Sequence, residues 1–254
     1  MIPQLGPAMT AWQGGHAGPT PTFPTTPTPP ASGGTAGFVR ILGTANSNSN
    51  TTVSIPVGGN VRSGRNVVVW CKDTANTGTT TAPLITGVAD ALGSVYMLHQ
   101  AGLSNPQGLA IAKLATPLLI GDHITVTFTQ ALTVYSAVTV IAAVYYGIGT
   151  FTNFLTTGFG SGTRKISLAV TASTTGYVLI AGWAWGSPTT PTPTVTATFT
   201  RRITTRWTPG PKGNVTIVHT AIADSVQAAS ATSHSVSVTW SIAGNLGLWA
   251  FKIA

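Results

Sequence analysis

The densest group of chemistry-bearing side chains in this 254-residue sequence lies in TFTRRITTRWTPGPKG, residues 198–213. Arg201, Arg202, Arg206 and Lys212 surround Trp207 there, a third of the twelve Lys and Arg of the chain. Guanidinium forks bind carboxylates and phosphates, and cations sit on indole faces. The segment therefore suits an acidic glycan, a phosphorylated wall polymer or a neighbouring subunit. A solvated hairpin would use the same residues, and the pattern alone leaves both readings open. Trp183 and Trp185, in GWAWG, fall on one face of a strand at period two. Such a pair stacks on sugars or fills a core.

Catalytic constellations are hard to find. The acids are Asp73, Asp90, Asp122 and Asp224, with no glutamate. None has an acidic neighbour, so paired-carboxylate chemistry has no local signature. Asp90 (VADALG) and Asp122 (IGDHIT) stand in turn contexts, where aspartate bonds to its own backbone. Asp122 beside His123 is half of a relay, but no nucleophile elbow accompanies it. His16, His99, His123, His219 and His234 are far apart, and neither H-E-x-x-H nor a Cys/His cluster occurs. GFGSG (158–162) lacks the strand-to-helix setting of a phosphate loop. The expectation is a protein without catalytic residues, metal or cofactor.

The elements that would position these residues read as strands. Thr, Val, Ala, Gly and Ser dominate, and charged residues are only 6% of the chain, where soluble domains average about 25%. Thr and Val favour pleated surfaces, and the usual helix-surface residues are scarce. From Phe38 onward short strand candidates alternate with turn signals: GFVRILGT, TTVSIPV, NVVVWCK, PLITGVAD, SVYMLHQ, GLAIAKL, DHITVTFT, YSAVTVIAAVYYG, RKISLAVT, GYVLIAGWAWG, TVTATFTRR, NVTIVHTAIA, HSVSVTWSI and GLWAFKIA. DHITVTFT alternates as a half-buried strand does. NVVVWC is apolar throughout and predicts a central strand covered on both faces, with Cys71 an inert buried thiol. Residues 131–149 are long and apolar enough for a membrane helix. Their β-branched residues, polar interruptions and lack of basic anchors predict buried strands instead. The fold class expected is all-β: an antiparallel jelly-roll-like β-sandwich over 38–254, preceded by an extended Pro/Gly/Thr-rich N-terminal arm over 1–37.

That arm contains GPTPTFPTTPTPP, which favours solvated polyproline II. Ile2, Leu5, Met9, Trp12 and Phe23 recur in it without helical or strand period. They suit hooks that enter pockets of a partner, and a leader without contacts is the alternative. The net charge of +8 reflects missing acids more than abundant bases. No sequence-specific nucleic-acid reader is recognisable, and no secretory signal is expected from MIPQLGPAMTAWQGG.

The order of strands carries a resemblance. SIPVGGNVRSGRNVVVWCK, TGVADALGSVYMLH, GLAIAKL, PLLIGDHITVTFT, AAVYYGI and the closing LGLWAFKIA follow one another as in β-sandwich virion proteins of bacteriophages. The chain resembles especially the minor tail proteins of phages infecting actinobacteria, over residues 38 to 254. It departs at Arg65-Asn66, where the family has an aspartate, and at Gly93-Ser94, where it has Gly-Asn. The resemblance implies a non-enzymatic structural component of a virion, assembled in the host cytoplasm. It would be a minor tail protein or tail adhesin anchored through the arm to other virion proteins, with a host cell-wall glycan as a further partner. A homo-oligomer is expected, a trimer being common among fibre-like proteins. Two alternatives stand beside it: a capsid decoration protein stabilising the shell, and a free carbohydrate-binding module.

Overall fold

The structure is a computed structural model. It describes residues 37–73, 83–100, 108–133, 137–148, 151–156, 160–171, 177–187, 194–195, 199–207, 217–227 and 233–253. All belong to the unit Thr35–Ala254. The arm residues Ile2, Leu5, Met9, Trp12 and Phe23 lie outside the described residues, as does Lys212.

The first eight strands are β1 (Gly37–Ser47), β2 (Thr52–Pro56), β3 (Asn66–Asp73), β4 (Ile85–Asp90), β5 (Met97–Gln100), β6 (Gly108–Lys113), β7 (His123–Phe128) and β8 (Val138–Tyr146). Pairing follows a simple rule. β1 bonds β8, β2 bonds β7 and β3 bonds β6, all antiparallel. A chain paired in this nested way is one long hairpin, and folding it over produces two facing sheets. Their orders are β1-β8-β3-β6-β5 and β2-β7-β4. This is a jelly roll in which β5 stays hydrogen-bonded to β6.

The core between the two sheets takes one face of each strand. Val67, Val69 and Cys71 of β3 meet Ile55 of β2 and Ile124, Val126 and Phe128 of β7. β2 and β7 alternate in burial because only one of their faces is covered. β3 and β8 do not alternate: Val68 and Trp70 are as buried as their neighbours, and so are Ile141, Ala143 and Tyr145. Something must therefore cover the outer face of the five-stranded sheet.

A third sheet covers it. It is built from β9 (Phe151–Thr156), β10 (Gly160–Thr171), β11 (Tyr177–Ser187), β12 (Thr194–Val195), β13 (Thr200–Trp207), β14 (Ile217–Gln227) and β15 (Ser233–Ile253). The order is β10-β15-β11-β14-β13, with β12 and β9 also paired to β15. Ile222 of β14 and Ile203 of β13 close a second apolar core over Val68, Trp70, Leu109, Ile111, Ile141 and Tyr145. The double burial expected for NVVVWC is thus the sum of two different interfaces. The apolar run at 131–149 contains β8, and among the described residues no helix is long and apolar enough to cross a membrane.

Several strands differ from their sequence reading. HSVSVTWSI and GLWAFKIA are one strand, β15, continuous through Gly244 and Asn245. β10 pairs with Ser233–Thr239 and again, past register shifts, with Gly244 and Leu246, while β11 pairs with Asn245–Ile253. FTNFLT, unassigned from sequence, is β9 along the far half of β15. The expected strand TVTATFTRR is divided, with β12 at Thr194–Val195 and β13 starting at Thr200.

Close approach of strands limits substitution at Gly43. A Cβ there would run into the Pro56 carbonyl oxygen and Ile55 Cγ2, where β1 passes β2. Backbone cannot yield as a side-chain tip does. Gly43→Ala is expected to cost about 1–3 kcal/mol, read as a lower denaturant midpoint with an unchanged slope.

Candidate functional site

The most concentrated polar chemistry described joins the third sheet to the jelly roll. Asp224, on β14, is 1% exposed, and Tyr145, on β8, is fully buried. The Tyr145 hydroxyl donates to Asp224 Oδ2 at 2.8 Å. Arg202, on β13, donates Nε to Oδ2 at 2.8 Å and Nη2 to Oδ1 at 2.6 Å, a bidentate pair. Its guanidinium carbon also lies 4.3 Å from the centroid of Phe38 on β1. Phe38 in turn meets Tyr145 edge-on, at 5.5 Å and 73°.

Position in the sheets explains why these four meet. β13 and β14 lie against the sheet that carries β1 and β8, so a carboxylate on β14 faces a phenol on β8. A bulge between Arg201 and Ile203 shifts the register of β13 against β14. Arg202 is half-buried on Asp224, while Arg201 is exposed. Every oxygen of Asp224 is engaged, and neither Asp224 nor Tyr145 reaches solvent. The cluster ties β8 of the jelly roll to β13 and β14 of the third sheet.

Burial pushes the Tyr145 phenol well above its ordinary range, Asp224 adds to the shift, and Arg202 opposes it. Tyr96 is raised for the same first reason, with Asp90 as its carboxylate neighbour. A group whose folded pKa is raised holds its stabilisation below the unfolded pKa and loses it as pH rises toward the folded one. Stability should therefore fall above about pH 10, by roughly 1.4 kcal/mol per pH unit for each tyrosine. Tyr145→Phe and Tyr96→Phe should each flatten the slope of unfolding free energy against pH between about 10 and 12.

The sequence-selected binding residues are distributed as follows. Arg201, Arg202, Arg206 and Trp207 all belong to β13, an edge strand of the third sheet paired antiparallel with β14. Arg202 is half-buried and paired through both Nε and Nη2 with Asp224. Arg201 and Arg206 are exposed, and charged side chains on an edge strand also discourage pairing with another chain. Trp183 and Trp185 are on β11 inside the sheet, paired with Ala221 and His219 on one side and with Leu248 and Leu246 on the other. Among the described residues no three His, Cys, Asp or Glu side chains gather as a metal site.

One surface escaped the sequence reading. Among the residues whose side chains are described, the exposed large apolar ones are Leu92, Val95, Met97, Leu119 and Ile120. They occupy the β4–β5 and β6–β7 crossings and, for Met97, the first position of β5. Both turns are tightly built. Asp90 Oδ1 accepts from the Leu92 and Ser94 amides at 3.0 Å each, and Oδ2 from the Tyr96 hydroxyl at 3.1 Å. Gly93 (φ 69°) and Gly121 (φ 92°) supply the left-handed turns. Asp122 Oδ2 accepts from the Leu119 amide at 2.7 Å, and Asn60 Oδ1 from the Ile120 amide at 2.8 Å. Both aspartates thus cap their own turns, as their sequence contexts suggest. The legible signal was PLLIGD, two apolar residues set directly against a Gly-Asp turn.

Fold and site together define an all-β protein: a jelly roll backed by a further antiparallel sheet, the two joined by an aspartate–arginine–tyrosine cluster. No family model, curated protein or solved structure matches the chain.

Proposed function

We propose that this chain is a non-enzymatic structural component of a bacteriophage virion. It is a minor tail protein or tail adhesin, held by its N-terminal arm and displaying the β region toward the host surface. The observation that carries the reading is the jelly roll at 37–148. The sequence segments behind the resemblance fall on its strands in order: NVVVWCK on β3, TGVADALG on β4 and its turn, GLAIAKL on β6 and DHITVTFT on β7. Jelly rolls recur in capsid and lectin domains, so the support is architectural analogy together with strand order. Repeated display on one particle would turn weak individual contacts into avidity.

Gold labelling of the β region on intact particles of the encoding phage tests this reading. Label along the tail or at its tip supports it. Label over the head makes the chain a capsid decoration protein instead. Particles without label would overturn the virion role.

A further inference from the structure

The jelly-roll topology brings the apolar turns together. β5 pairs with β6 and β4 with β7, through Met97↔Ile111 and Asp90↔Ile124. The β4–β5 crossing therefore runs beside the β6–β7 crossing at one end of the sandwich. On the other side of β6–β7 lies the β2–β3 crossing, since β2 pairs with β7 and β3 with β6. It is laced to its neighbour by the Val57 amide to the Asp122 carbonyl, the Val61 amide to the Leu118 carbonyl and the Gly64 amide to the Leu114 carbonyl. Among the residues whose side chains are described, the exposed large apolar ones are all on this end: Leu92, Val95, Met97, Leu119 and Ile120.

Their surroundings are basic. Arg62 of the β2–β3 crossing and Lys113 at the end of β6 are exposed. Arg40 donates to the Asn60 carbonyl, and the Arg65 guanidinium lies 5.4 Å from the Tyr146 ring centroid. The described acids of this end, Asp90 and Asp122, have turned carboxylate oxygens onto their own turns. A partner must therefore be apolar and anionic. A second copy of the chain does not meet the need for negative charge, because with four acids against twelve bases it would bring positive against positive.

We infer that this end of the jelly roll inserts Val95, Leu119 and Ile120 into an anionic lipid surface, with Arg62 and Lys113 on the headgroups. Protrusion favours a bilayer over a protein pocket. Val95 is 84% exposed and Ile120 68%, values that a side chain keeps only when few neighbours flank it. Isolated tips of this kind enter an acyl layer without needing a matching cavity. Apolar burial and attraction of basic residues to anionic lipid then act together, as they do for interfacial anchors. The hydrogen-bonded turns hold the tips in place before contact, so little order is lost on insertion. This inference stands whether or not the chain is a virion component.

The test uses the full chain with vesicles of phosphatidylcholine alone and of phosphatidylcholine with about 30% phosphatidylglycerol. Flotation should show binding to the anionic vesicles. Val95→Ser/Ile120→Ser should weaken it at least about tenfold with an unchanged melting temperature, because both sites are exposed. Arg62→Gln/Lys113→Gln should remove the preference for anionic over neutral vesicles. A fluorophore on Val95→Cys should be quenched by brominated acyl chains, and one on Ser49→Cys, in the β1–β2 turn at the other end, should not. Equal binding by the serine pair and wild type would reduce the effect to general charge attraction and overturn the proposal. No binding to either vesicle would also overturn it and assign the tips to an acidic protein partner.

Discussion

Asp224→Ala is expected to destabilise the protein by about 3–5 kcal/mol, the range for removing one partner of a buried ion pair. Two groups are left without their acceptor. The Tyr145 hydroxyl is fully buried and loses its bond to Oδ2. Arg202 loses both oxygens at once, but with 24% of its side chain exposed it can turn partly to water, which moderates the loss. For a domain of this size the change lowers the melting temperature by roughly 10 °C. Asp224→Asn keeps the shape and an acceptor for Tyr145, so it should cost less than alanine. The Asp224→Ala/Arg202→Ala double variant distinguishes a local pair from a wider failure. If the two act through each other, the double variant should be less destabilised than the sum of the singles. Additive losses would mean that each residue is held by something else.

Trp70→Ala should cost about 3–5 kcal/mol, the range for deleting a large buried aromatic. Trp70 is 2% exposed and stands in β3 between Leu109 and Ile141. It belongs to the core shared with Ile222 and Ile203, so the cavity would open beneath the third sheet. Hydrogen exchange should report this location. Amides of β13 and β14 should lose protection more than those of β2 and β7. Val69→Ala, one residue away, faces the other core and should reverse the order. Equal loss in both sheets for both variants would mean that the three sheets unfold only as one unit, with no local opening.

Much of the β architecture was legible locally. β-branched and small residues, dense turns and the scarcity of helix-surface residues define the class. Period two in HITVTF marks one covered face, and the unbroken NVVVWC marks two. Asp90 and Asp122 announce their turns, since a short carboxylate within a few residues of a glycine meets nearby amides. These features depend on contacts within one strand or one turn, and a sequence contains all the information for them.

What the tertiary structure decided lies in pairings across long separations. An apolar face shows that it must be covered, but not by what, so the third sheet over β3 and β8 could not be read from either strand. HSVSVTWSI and GLWAFKIA read as two strands, and only pairing with β10 and β11 along their length joins them as β15. Arg201 and Arg202 are the same residue type in adjacent positions. A bulge and the carboxylate of β14 put Arg202 into a buried lock, while Arg201 stays exposed. The apolar tips came from turns 25 residues apart, counted from Val95 to Ile120. They share one end only because nested pairing sets the β4–β5 crossing beside β6–β7. Local chemistry determined the jelly-roll strands and the Asp-capped turns; which faces and which ends meet, and where β9 and β15 run, was decided by hydrogen-bond register and the packing of three sheets.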